Sequence, residues 1–127
     1  MPTTVVLGAA RTPFGKLGGG LASLTAPQLG IHAARAALER SRVAPEDVGY
    51  VVMGEVLQAG VGLIPSRQWS AGAGLPKEVG SDTINKRCAS GIRGVQPTAR
   101  VSRAGVPPAL PRGGREARVR APARAPH

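Results

Sequence analysis

An apolar run from Thr3 to Ala9, a stripe of helical spacing after Thr25 and a second apolar run from Tyr50 to Leu57 follow one another, and that order leaves few folds open. The first run is β-branched at its start and stops at Arg11-Thr12-Pro13, as expected of a buried strand. Thr25 can cap a helix with Pro27 in its first turn. Gln28, His32, Arg35, Glu39 and Arg42 then recur at helical spacing, opposite Leu29, Ala33, Ala36 and Ala37. Ala44-Pro45-Glu46-Asp47 punctuates the chain before the second strand. The pattern predicts β-α-β, with parallel strands joined by a right-handed crossover. It also puts His32 on a solvated stripe, so His32 is not a candidate base.

Further along, a second helix is predicted over Pro65 to Ala73, with proline early and Gly74 just past its end, and a third strand over Thr83 to Lys86. The loop Phe14 to Gly20 is glycine-rich but lacks the spacing of a dinucleotide site, so it reads as a flexible connection. Glu55, at the end of the second strand, is either a rim charge or a contact of a site. Phe14, Tyr50 and Trp69 are the only aromatic residues, so the core must be built from Ala, Val, Leu and Ile. Such side chains suit closely packed α/β layers.

A single cysteine excludes an internal disulfide and a cysteine-rich metal site, and it points to a reducing, cytoplasmic setting. The strand-like start leaves no room for a signal peptide, and no apolar run approaches the ~20 residues of a membrane span. The net charge of +10 is unevenly spread. Residues 1–96 carry ten Lys and Arg against six Asp and Glu, whereas residues 97–127 carry seven Arg against Glu116 alone.

That one cysteine, Cys88, follows the third strand and opens a small-residue segment, Ala89, Ser90 and Gly91, that lets a ligand or other backbone approach closely. At the mouth of a helix, the dipole and free amides favour a thiolate. Lys86 and Arg87 add positive charge. The alternative for a lone cysteine is a small buried hydrophobe.

The segment N-K-R-C-A-S-G-I-R-G-V, Asn85 to Val95, resembles the nucleophile segment of the thiolase family, where an asparagine precedes the reactive cysteine and C-x-S-G follows it. Ala10 to Gly15, A-R-T-P-F-G, resembles the family's close of the first strand. Val48 to Gly60 is similar to its second strand and the following loop. The stretch R-Q, then A-G-A-G-L-P-K-E-V, also matches, with Trp69 and Ser70 where smaller residues are common. The resemblance covers residues 3–96. It implies an α/β fold, the incomplete N-terminal half of a thiolase-like αβαβα arrangement: β-α-β-α-β, then the nucleophile helix.

After Gln96 the composition changes. Pro97 falls about two and a half turns into the helix that Cys88 should open, where a proline costs ~3 kcal/mol or more. Three prolines in Val106 to Pro111 argue against the apolar strand the family places there. Residues 1–96 are therefore expected to form a partial thiolase N-terminal domain, and 97–127 a divergent, poorly ordered basic tail. Reading-frame disruption of a thiolase gene or a purposeful basic extension would each produce such a tail.

What the resemblance implies chemically is acyl transfer between coenzyme A and acyl-CoA, with Cys88 as the acyl-thioester nucleophile and its backbone N–H as an oxyanion donor. Coenzyme A thioesters are the substrates, with no bound cofactor and no metal; no cofactor-binding residue is assigned. The family's histidines and second cysteine lie in segments this chain does not contain, and His127 matches none of them. The chain is thus expected to be inactive alone and open to homo-oligomeric assembly, with no membrane partner. Two alternatives stand beside this: an Arg-rich tail that contacts anions or nucleic acid, disfavoured because it has no aromatic residue for stacking, and a non-catalytic partner docking on an intact thiolase.

Overall fold

The structure, a computed structural model, describes residues 5–103 and the strand 115–120. The first helix, α1 (Ala26–Ser41), begins where its sequence signals place it. Thr25, in extended conformation, accepts from the Gln28 N–H, and Gln28 Oε1 accepts from the Thr25 N–H at 2.8 Å, a reciprocal capping box. The helix ends at Arg42, whose left-handed backbone (φ 54°) turns its N–H back to the Glu39 carbonyl. A 3-10 turn at Pro45–Asp47 leads into β1 (Val48–Gly54), followed by α2 (Pro65–Gly72), β2 (Gly80–Ile84), α3 (Ser90–Arg103) and β3 (Arg115–Arg120).

The three strands form a parallel sheet in the order β2-β1-β3. The central strand β1 is apolar throughout because both its faces are covered. Val51 and Met53 look towards α1 and α2, joining Ala33, Ala34, Leu38, Trp69, Ala73, Leu75 and Val79 in one core. Val52 and Gly54 look the other way, to α3, where Val52 lies against Gly94 and Gly54 against Ser90. Alanines on α1 allow close approach, and Trp69, 1% exposed, fills the space they leave. Burial of a side chain such as Val51 or Met53 stabilises the fold by roughly 2 kcal/mol. Polar ties fix the layers: Arg35 Nη2 donates to the Gly72 carbonyl at 2.6 Å, and the Arg67 guanidinium reaches the carbonyls of Val79 and Lys77.

Three expectations need correction. The strand predicted from Thr3 to Ala9 is absent over its described residues, 5–9. Both edges of β1 are occupied, by β2 and β3, and the segment runs along α1. There Arg40 Nη1 donates to the Ala9 carbonyl at 2.9 Å, and Gly8 lies so near Ser41 that an added Cβ would stand 2.8 Å from its Cβ. The apolar side chains of Val5 and Val6 are left exposed.

The third strand lies three residues earlier at its start than predicted and ends at Ile84, whose carbonyl takes the last rung from the Glu55 N–H at 3.0 Å. Asn85 then leaves the ladder for bonds of its own. Finally, Pro97 does not end the helix expected after Cys88. It removes one amide that would have donated to the Arg93 carbonyl, yet α3 continues to Arg103, held by packing across β1. The expected boundary after Gln96 therefore falls inside a helix. Val106 to Pro111 lies outside the described residues, and the strand that does form on the far edge of β1 starts later, at Arg115.

Candidate functional site

Cys88 stands in the turn between β2 and α3, two residues before the helix, and its side chain is exposed. It is not the small buried hydrophobe that a lone cysteine can be. The helix was expected to open at Cys88 itself. Instead the Ala89 N–H donates to the Lys86 carbonyl and the Ser90 N–H to the Arg87 carbonyl, closing a tight turn first.

Side chains shape this turn. Asn85 Nδ2 donates to the Val56 carbonyl at 3.0 Å while its Oδ1 accepts from the Arg87 N–H at 3.1 Å. Ser90 Oγ accepts from the Lys86 N–H at 2.8 Å and donates to the Arg87 carbonyl at 2.6 Å. Arg87 between them has a left-handed backbone, φ 50°, which is uncommon for a residue with a Cβ. The roles of Asn85 and Ser90 were beyond sequence reasoning, although both stand in the motif, because their bonds depend on that backbone angle.

Glu55 is not a rim charge. It is 1% exposed, neither carboxylate oxygen has a hydrogen-bond partner among the described residues, and burial raises its pKa above the ordinary carboxylate range. As the residue after Gly54, it turns by strand alternation to the side of Met53, away from α3 and Cys88. His32, the one histidine among the described residues, is exposed on α1, across the sheet from Cys88. His127 lies outside the described residues. The turn therefore offers an accessible sulfur at the N-terminal end of a helix, with no imidazole beside it among those residues. No group of three or more His, Cys, Asp or Glu among them is placed to hold a metal, and no described helix is long and apolar enough to cross a membrane.

The family model for the thiolase N-terminal domain matches residues 4–126, so the similarity does not stop at Gln96. An acetyl-CoA acetyltransferase of Cupriavidus necator is 47% identical over 122 residues, 96% of this chain and 31% of the relative. The acetyl-CoA acetyltransferase structure from Syntrophomonas wolfei superimposes with a TM-score of 0.78 at 41% identity, covering 81% of this chain and 26% of that one. The Ascaris suum Acat5 thiolase, solved in complex with coenzyme A, gives a TM-score of 0.78 at 34% identity over 80% of this chain and 26% of its own. The chain thus spans between a quarter and a third of the length of these proteins. It belongs to the thiolase family, within which it matches the N-terminal domain.

Proposed function

We propose that this chain carries the acyl-accepting nucleophile of a thiolase-type acyltransferase. The thiolate of Cys88 attacks the carbonyl carbon of an acyl-CoA; the bond from that carbon to the coenzyme A sulfur breaks, coenzyme A leaves as its thiolate, and the acyl group remains on Cys88 as a thioester. The Cys88 backbone N–H donates to the thioester oxygen during attack. The observation that carries this reading is the exposure of the chain's one thiol in the turn before α3. The acetyl-CoA acetyltransferases it resembles give the substrate class, coenzyme A thioesters.

Completing a transfer needs an acid and a base near the sulfur. The one described histidine is across the sheet, so we infer that this chain alone does not turn over substrate. A reducing compartment, the cytoplasm, fits its single cysteine. The test is incubation with acetyl-CoA followed by intact-mass analysis. One acetyl group on the wild type and none on Cys88→Ser is expected; an unmodified wild type overturns the nucleophile role. Cleavage of acetoacetyl-CoA by the purified chain, abolished in Cys88→Ser, would overturn the inference of incompetence.

A further inference from the structure

We propose that Asn85 and Ser90 are positioning residues for Cys88, acting through Arg87, whose backbone they hold in the left-handed conformation. The proposal rests on the acyl-acceptor reading for its functional weight, though the clamp can be tested without it. A side chain with a Cβ is crowded by its own carbonyl at φ 50°, so Arg87 needs outside restraint to stay there. Two side chains supply it from opposite ends of the residue. Asn85 Oδ1 takes the Arg87 N–H, and Ser90 Oγ donates to the Arg87 carbonyl.

Each clamp is itself anchored. Asn85 Nδ2 is bonded to the Val56 carbonyl in the loop after β1, and Ser90 is the first residue of α3 and also receives the Lys86 N–H. Arg87 is thereby fixed to the sheet end on one side and to the helix on the other. Because the Arg87 dihedrals set the direction in which the chain enters Cys88, the clamp sets where the sulfur lies relative to the mouth of α3. Were Arg87 to relax, the thiol would leave that position while sheet and helix stayed folded.

As the only cysteine, Cys88 permits a clean readout, its rate of alkylation by iodoacetamide followed by mass spectrometry, with circular dichroism and the fluorescence of Trp69 reporting the fold. Asn85→Ala is expected to slow alkylation by about fivefold or more, and adding Arg87→Gly to it to restore the rate to that of Arg87→Gly alone, since glycine adopts positive φ unaided. A variant that had merely lost stability would gain nothing from the added glycine. An unchanged rate in a folded Asn85→Ala, or failure of Arg87→Gly to restore it, overturns the proposal.

A second pair leaves Asn85 in place, in case Asn85→Ala does not fold. Arg87→Gly and Arg87→Val both lose the guanidinium, so its charge cancels in their comparison; Arg87→Val, β-branched at positive φ, should react more slowly than Arg87→Gly, and equal rates in that pair overturn the clamp. Iodoacetamide reports the clamp whatever acyl-CoA does. An intact clamp with no acetyl transfer would leave this proposal standing and remove the acyl-acceptor reading.

Discussion

Gly54, the last residue of β1, meets Ser90, the first residue of α3, with no room for a side chain between them: a Cβ at position 54 would stand 2.6 Å from the Ser90 carbonyl carbon. The Gly91 nitrogen and the Ser90 oxygen would each be 2.8 Å away. Because these are backbone atoms, no rotamer change relieves the clash. The start of α3 can settle on the sheet only because β1 ends in glycine.

Gly54→Ala is therefore expected to displace the start of α3 and to destabilise the fold by about 1–3 kcal/mol, the usual cost of overpacking. Urea denaturation followed by Trp69 fluorescence measures this. The same variant should alter the alkylation rate of Cys88, because the turn that holds the thiol is bonded to Ser90. Wild-type stability in Gly54→Ala would mean that α3 does not rest on the sheet as described.

The hydroxyl of Tyr50 donates to Asp82 Oδ2 at 2.6 Å, joining β1 to β2 on the sheet surface. Burial first, then the hydrogen bond to Asp82 and its negative charge, push the phenol pKa from 10.0 up to about 12. A pKa raised by folding means that the folded state holds the proton more tightly. The contribution is complete below pH 10 and is lost as pH rises through about 12. Tyr50→Phe should lower stability at neutral pH and shrink the fall in stability between those values. Parallel urea titrations of the two proteins check it, and identical curves above pH 10 would refute the pair's role.

Much of this architecture was legible in the sequence because its signals are local. Thr25 as a cap with Pro27 in the first turn, Pro65 at a helix start and the apolar run at β1 each declare themselves within a few residues, and the observed elements follow them. The N-terminal run favours a strand by its sequence, but it is tied along α1 instead, by Arg40 at the Ala9 carbonyl and by the close approach of Gly8 to Ser41, contacts that no local pattern declares. At the site, Cys88 and its exposure followed from the motif, whereas the left-handed backbone of Arg87 did not: an arginine carries no signal for positive φ. The burial of Glu55 was hidden for a similar reason, since a charged residue at a strand end looks like a rim residue until the packing around it is known.

Pro97 is the clearest place where tertiary packing overrides local preference. A proline inside a helix removes one backbone hydrogen bond and crowds the preceding turn, yet α3 passes through it. Pro97→Ala is thus expected to stabilise the chain, by up to about 3 kcal/mol where the surrounding turn relaxes fully. Thermal unfolding by circular dichroism would show a higher midpoint and a stronger helical signal. A lower midpoint would indicate that the pyrrolidine ring contributes packing that outweighs the lost hydrogen bond.

Glu55 gives the fold an unusual dependence on mild acid. Among the described residues its carboxyl is shut away from water and has no hydrogen-bond partner, so folding favours the neutral, protonated form and raises the pKa. The unfolded chain releases that proton in the ordinary carboxylate range, while the folded chain holds it to higher pH. Stability from this group is consequently full below that range and falls as pH rises through it towards the folded-state value. Most paired carboxylates act in the opposite sense. Glu55→Gln cannot ionise, so its stability should lose this downward slope above the ordinary carboxylate range, and the wild type minus variant difference should grow more negative with pH over that interval. Urea midpoints across that interval decide the matter: a difference that is flat, or that rises with pH, would show that the Glu55 carboxylate finds a partner or water in the folded chain.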